Sequence, residues 1–346
     1  MRIPLSSLAL LPLLACSQYN GPESVEYDPA GDRYFVSNTS DGTIKQRDQI
    51  GTVTPFASVS PSPYGLEILG DTLYACSGGS VKGYLLSTGA LVSNLNLGGA
   101  FLNGITTDGT YLYVTDFSDE KIFRVDPATN TFITWVANTN GTPNGIAYDA
   151  THDLLAVAFW GNNAAVKTYA RNTAVLGWST NTGVGSIDGI AVDCLGGYLI
   201  ASWSPDRITR FEPLVLTPTF VDLQVPGLNN PADIDFDAVH DLVCIPNSGA
   251  NTVTLHSVSC ITAVPEMNGS AAIAVSPNPT DGPLWLKGTS STDLPYTLTD
   301  ATGRTVRSGT WRTAAPLDLG SLVPGVYQLT ITMDGGTAIT RQVVRR

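Results

Sequence analysis

The sequence predicts an all-β chain, a six-bladed β-propeller followed by a small antiparallel, immunoglobulin-like β-sandwich. Three observations carry this. A seven-residue motif recurs six times between Pro22 and Cys260, and the recurrence stops abruptly after Cys260. Short β-branched and aromatic runs are punctuated throughout by Gly, Asn, Asp and Pro, and no amphipathic helix of useful length interrupts them. At 346 residues the chain is too long for one ordinary core unless that core is a ring of modules.

Four copies of the motif are plain: Pro22–Asp28, Leu102–Asp108, Pro143–Asp149 and Ile187–Asp193. Two are looser, Pro63–Leu69 and Pro231–Asp237. Counted from the second residue of each copy, the steps are 41, 39, 41, 44 and 44 residues. A period of about 40–45 residues is that of a four-stranded propeller blade. Each copy reads as a first strand, followed by a tight turn such as Asp149-Ala150-Thr151-His152-Asp153. A second strand comes next, such as Leu112-Tyr113-Val114-Thr115, and then a third and a more variable fourth. Sheets of this kind arranged radially bury their faces on each other. His152 and His240 share one turn position and His256 sits in a third strand, which marks them as structural.

The ends differ from the ring. Arg2, the apolar stretch Ile3–Ala15 and the small residues Ala15-Cys16-Ser17 form an export signal, so residues 1–17 are expected to be removed. Leu13-Leu14-Ala15-Cys16 also fits a lipobox, which would leave Cys16 lipidated, although Leu14 is not the usual small residue there. The apolar run is too short to span a bilayer, and the mature chain has no transmembrane segment. The propeller is assigned to 18–262, a linker to 263–274 and the sandwich to 275–346. From Ser17 to Val264 there are 10 basic and 24 acidic residues, which excludes the cationic footprint that nucleic acid or anionic lipid requires. Cys76, Cys194, Cys244 and Cys260 allow three disulfide pairings. Cys244 with Cys260, in one blade, is the first to test. The absence of CxxC or a Cys/His cluster argues against zinc.

One position of the repeat rotates through Glu23, Tyr64, Asn103, Asn144, Asp188 and Ala232. In a propeller these converge on one mouth of the central channel. Glu23, Asn103, Asn144 and Asp188 are oxygen donors, a hard-ligand set suited to Ca²⁺ or Mg²⁺, with Tyr64 and Ala232 leaving a gap for substrate. Asp116, Trp160 and Trp203 all follow second strands and are expected to line the same mouth, Asp116 as an extra carboxylate. The two tryptophans would serve equally to pack blade on blade.

On these residues the region 20–260 resembles the senescence marker protein / gluconolactonase family, six-bladed propellers that hydrolyse sugar lactones with a divalent metal. The resemblance implies metal ligation by Glu23, Asn144 and Asp188, substrate contact by Asn103, and a catalytic role for Asp188 in holding or deprotonating water. Phe101 stands where that family keeps a substrate-gripping Arg, so a sugar acid is not expected. The substrate class is then a lactone or ester. The alternative is a non-catalytic, NHL-like surface propeller that binds carbohydrate or protein, in which Asn-Gly and Asp-Gly serve turn geometry alone. No G-x-S-x-G elbow supports a serine hydrolase. The C-terminal region resembles the sorting domain of type IX secretion cargo of the Bacteroidetes. It does so through Ser276-Pro277-Asn278-Pro279-Thr280, Asp300-Ala301-Thr302-Gly303-Arg304, Leu317-Asp318-Leu319-Gly320, Leu322-Val323-Pro324-Gly325-Val326-Tyr327 and the basic Arg345-Arg346. That resemblance implies passage through the type IX machinery and a secreted or outer-surface location.

Overall fold

The computed structural model describes residues 18–260, 274–287, 293–300, 303–312, 315–332 and 338–346. The expected export signal, Cys16 included, and all but the last residue of the expected linker lie outside them. Among the described residues every regular element is a β-strand, and no helix is long and apolar enough to cross a membrane. The chain divides into two compact units, 1–262 and 263–346.

The first unit is the propeller. Its inner strands are Pro22–Asp28, Pro63–Leu69, Leu102–Thr107, Pro143–Asp149, Gly185–Val192 and Asp235–Asp237, and they open blades 1 to 6 in that order. Blades 1 to 5 are four-stranded antiparallel sheets; blade 6 shows three strands among the described residues. The core is not central but divided between the blades. Phe35 and Ile44 of blade 1 pack on Leu66 and Leu73 of blade 2. Tyr113 and Ile122 of blade 3 pack on Ile146 and Leu155 of blade 4, and every other interface around the ring has its own cluster. Each blade therefore contributes half of two cores, so its stability is its neighbours' as well.

The recurrent Asp that ends the inner strands builds blades rather than sites. Asp149 Oδ1 accepts the Thr151 and His152 amides, while its Oδ2 accepts from His152 Nδ1 at 2.8 Å and from Tyr198 Oη of the next blade at 2.9 Å. Asp237 repeats the arrangement with His240, and with Tyr34 of blade 1. The histidines are thus turn residues, as their repetition implies.

Among the described residues no strand is exchanged between the ends of the ring. Blade 6 lies directly against the inner strand of blade 1: the Asp233 amide donates to the Glu23 carbonyl at 2.8 Å, and the Val25 amide donates to the Asp233 carbonyl at 3.3 Å. Val25, Tyr27, Tyr34 and Val36 then bury themselves with Cys244, Val253 and Leu255.

The disulfide corrects the pairing tested first. Cys194 bonds Cys260, with Cα atoms 5.5 Å apart, whereas Cys244 is a buried free thiol in the second strand of blade 6. Cys260 follows the third strand of blade 6 and meets the tight turn of blade 5, so the bond staples two blades rather than closing one. It spans 66 residues. Cys194→Ser is expected to lower stability by roughly 4 kcal/mol, the loop-entropy value for such a loop. The urea midpoint checks this; an unchanged midpoint would show that blade 6 does not depend on the staple.

The second unit packs two antiparallel sheets about one apolar cluster that includes Leu284, Leu298, Trp311, Leu329, Ile331 and Val343. Its Ser-Pro-Asn-Pro-Thr segment is bound to the last strand: Asn278 Nδ2 donates to the Gln342 carbonyl at 2.7 Å, and the Val344 amide donates to Asn278 Oδ1 at 2.9 Å. The Thr280 amide donates to the Val344 carbonyl at 2.8 Å.

Candidate ligand site at the channel mouth

The six rotating positions lie together, and the backbone explains how. In blades 1 to 5 the pairing of first and second strands slips at this one place, between Pro22 and Val25, Pro63 and Leu66, Val114 and Asp116, Pro143 and Ile146, and Ile187 and Gly189. A bulge re-aims the side chains it carries. The freed amides find side chains instead: Ser24 donates to Ser37 Oγ at 2.9 Å, and Gly104 to Thr115 Oγ1 at 2.8 Å.

The following glycines have a cause that turn geometry does not supply. Gly65, Gly104, Gly145 and Gly189 are not in the left-handed region. They are glycine because the inner strands approach too closely for a methyl. A Cβ on Gly104 would stand 2.5 Å from the Asn144 carbonyl oxygen, and one on Gly145 would stand 2.7 Å from that of Asp188. Asn-Gly and Asp-Gly are here signs of a narrow channel.

Glu23, Asn103, Asn144 and Asp188 form its buried floor, each less than a tenth exposed. Asn144 Nδ2 donates to Asp188 Oδ1 at 2.8 Å, which leaves Asn144 Oδ1 buried without a hydrogen-bond partner. A fifth polar residue, missed in the sequence, joins them. Asp233 is buried and accepts from Ser24 Oγ at 2.9 Å. It belongs to the loosest copy of the motif, one place after Ala232.

Burial holds Asp188 up to about 7, against the opposing pull of the Asn144 amide and the Trp203 indole N–H. Burial, then Asp188 and Asp233, holds Glu23 well above the usual carboxylate range. Asp233 is raised by burial first and then by Asp188 and Asp235, against the Ser24 hydroxyl. No Lys, Arg or His enters the surroundings that set these three. The floor is therefore acceptor-rich and short of positive charge, a state that calls for protons or a cation.

Around the floor runs an arc of half-buried aromatic rings. Tyr64 meets Phe101 at 4.7 Å between centroids, Phe101 meets Phe117 at 5.5 Å, Phe117 meets Trp160 at 6.1 Å, and Trp160 meets Trp203 at 5.1 Å, all edge to face. Trp203 Nε1 donates to the Pro231 carbonyl at 3.1 Å, which ties the arc's end to blade 6. The Glu23 carboxylate beside Tyr64 adds to burial in raising that phenol.

Asp116 is not part of this wall. It is fully buried, and its carboxylate accepts the amides of Ala100, Phe101 and Asp119 at 2.9–3.1 Å. The strand register shows why: Asp116 matches Asn38 and Asn247, which accept the Asn20 and Asn229 amides in the same way. The true counterpart of Trp160 and Trp203 is Phe117, one residue later. That one-residue offset was readable from the repeat.

Three places further along each inner strand lies a second ring: Glu26, Glu67, Thr106, Ala147, Ala191 and Asp235, lining a cavity of about 170 Å³. Four of these accept an amide from the next blade: Glu26 from Ile68, Glu67 from Thr107, Thr106 from Tyr148 and Asp235 from Tyr27. Their first task is to bind blade to blade.

The donor chemistry of the floor suits a hard divalent cation, since the donors are all oxygen and Asn144 Oδ1 is free to ligate. Among the described residues, one group of three Cys, Asp, Glu or His ligand atoms lies within 4.8 Å of one another, Cys194, Asp241 and Cys260, and the disulfide consumes its sulfurs. Glu23, Asp188 and Asp233 are spread more widely, so an ion would draw on part of that set with the Asn144 carbonyl.

Residues 274–345 match the secretion system C-terminal sorting domain. No curated protein matches the sequence. Among solved structures the chain is similar to Kuenenia stuttgartiensis hydrazine synthase, at 16% identity and a TM-score of 0.55, over 71% of this chain and 79% of that one. It is similar to virginiamycin B lyase from Staphylococcus aureus at 14% identity and a TM-score of 0.50, over 78% and 92%. The β-propeller domain of Myceliophteria thermophila Cps50 (Swd1) gives 13% and 0.51, over 69% and 98%. At such identities the likeness is one of fold alone. A β-propeller borne on such a C-terminal unit is a secreted or outer-surface protein, and residues 274–345 of this chain are its type IX secretion sorting domain.

Proposed function

We propose that the channel mouth is a divalent-cation-dependent hydrolytic site for a lactone or ester. The observation that carries this is the buried floor of oxygen donors with no positive partner and one orphaned amide oxygen. Glu23, Asn144 and Asp188 would hold the ion, which when bound would polarise a substrate carbonyl. Asp188, a buried carboxylate at the floor, would hold a water and take its proton. Asn103 offers an amide to the substrate, and Trp160 and Trp203 cover its apolar face. With Phe101 inside the aromatic arc, the mouth lacks a grip for an anionic substrate. The lyase among the structural neighbours supports chemistry in such a ring only by analogy.

A second reading, retention of a ring-bearing ligand such as a carbohydrate without turnover, is favoured by the unbroken aromatic arc. Calcium added to the chelator-treated protein is expected to raise its melting temperature, with the effect lost in Glu23→Ala and reduced in Asp188→Asn. Absence of a shift with any divalent ion would remove the metal. Hydrolysis of a small lactone panel separates the two readings, and an unchanged rate in Asp188→Asn would remove its proton-transfer role.

A further inference from the structure

We propose that the mouth binds an organic ammonium ion, the methylated head of a small ligand, between the arc Tyr64, Phe101, Phe117, Trp160, Trp203 and the acidic floor. The inference rests on the mouth being a ligand site, and not on a metal or on turnover.

Two independent features converge. Five aromatic rings from four blades follow one another at 4.7–6.1 Å, half-buried, so that an entering group meets π-systems across most of the rim. Such rings attract a cation through their negative faces, most strongly where water is excluded. Below them, Asn144 Oδ1 is buried without a donor, and the Glu23, Asp188 and Asp233 carboxylates have no basic side chain to answer them. Two lysines at this end are engaged elsewhere: Lys82 Nζ donates to the Ser60 carbonyl, and Lys167 Nζ to the Thr139 and Asn140 carbonyls. An anion would face the Glu23, Asp188 and Asp233 carboxyls and the unpartnered Asn144 oxygen, whereas a cation answers those acceptors directly. A metal ion satisfies the floor but not the arc. A methylated ammonium satisfies both, because it is cationic yet weakly hydrated and carries an apolar surface to lay against the rings.

Choline and its uncharged isostere 3,3-dimethylbutan-1-ol give the test, by calorimetry and tryptophan fluorescence on the full chain in chelator. Choline is expected to bind saturably and at least tenfold more tightly than the isostere. Trp160→Leu should weaken choline at least tenfold with little change in melting temperature, and Phe101→Arg should abolish binding. Equal affinity for the isostere, or no saturable binding of choline at millimolar concentration, overturns the proposal; so does full affinity in Trp160→Leu. Calcium-dependent stabilisation without choline binding refutes this inference and leaves the metal standing. Choline binding without any response to calcium does the reverse.

Discussion

Gly104→Ala should destabilise the propeller by about 3 kcal/mol or more, at the upper end of the cost of overpacking. The added methyl would lie 2.5 Å from the Asn144 carbonyl oxygen and 3.1 Å from Gly145 Cα and Ile146 N. All three are backbone atoms of the next blade's inner strand, so no side chain can swing aside. Blades 3 and 4 must separate at the axis. The separation would strip contacts from Ile105 and Ile146 and draw Asn103 and Asn144 apart on the floor. Gly109→Ala is the control: Gly109 has φ +85° and nothing within 4 Å of a built Cβ, so its loss should cost only the strain of a left-handed alanine. Chemical denaturation compares the two. If Gly104→Ala were no worse than Gly109→Ala, the close approach of the strands would not be what demands glycine. Any calcium response should also weaken in Gly104→Ala and survive in Gly109→Ala.

Propeller stability should fall as pH rises from about 4 to about 8, and Glu67→Gln should flatten that fall. Burial and Asp235 push Glu67 up to about 8, opposed by its bonds to Glu26, Thr106 and Thr107. Glu26 is held well above the usual range by burial and by Glu67 and Asp235, and Asp235 is raised by burial and Asp237. An unfolded glutamate releases its proton near pH ~4.3. Between that value and the folded one, the folded state keeps protons that the unfolded chain has lost. Stability therefore declines as pH rises through this window, by a few kcal/mol once Glu67 is ionised. Glutamine keeps an acceptor for the Thr107 amide and carries no charge, so the variant should melt higher than the parent at pH 8 and about equally at pH 4. A parent whose melting temperature holds or climbs between pH 5 and pH 8 would contradict this, as would a parallel decline in Glu67→Gln.

The fold was legible because a propeller repeats its local instructions. Each heptad is an inner strand, and the six equivalent positions at its second residue could be aligned without coordinates. The candidate floor followed from the same alignment, since Glu23, Asn103, Asn144 and Asp188 need only share a register to share a place. What failed to show depends on partners distant in sequence. Cys194 meets Cys260 because blade 5's turn faces the chain leaving blade 6, a relation between two blades that spacing inside one cannot express. The aromatic arc runs from Tyr64 through Phe101 and Phe117 to the two tryptophans, drawing on three different positions of the repeat, so no single column reveals it. Asp116 misled through a one-residue misalignment that a bulged strand makes easy: the slip lies opposite it. Asp233 was hidden for a related reason, as blade 6 reaches its inner strand without the motif's usual glycine.

The closure of the ring by direct contact between its first and last blades sets an order in time. The inner strand of blade 1 finds its second neighbour only when Asp233 arrives, some two hundred residues later, so the face of blade 1 that carries Tyr27 and Tyr34 lies bare until blade 6 docks. Contacts of such separation form slowly, because the intervening chain must first be ordered. Five blades can assemble as an open crescent while the chain is still emerging. The circle becomes a circle with its last-made piece, and the Cys194–Cys260 bond then latches it fourteen residues before the sorting domain begins.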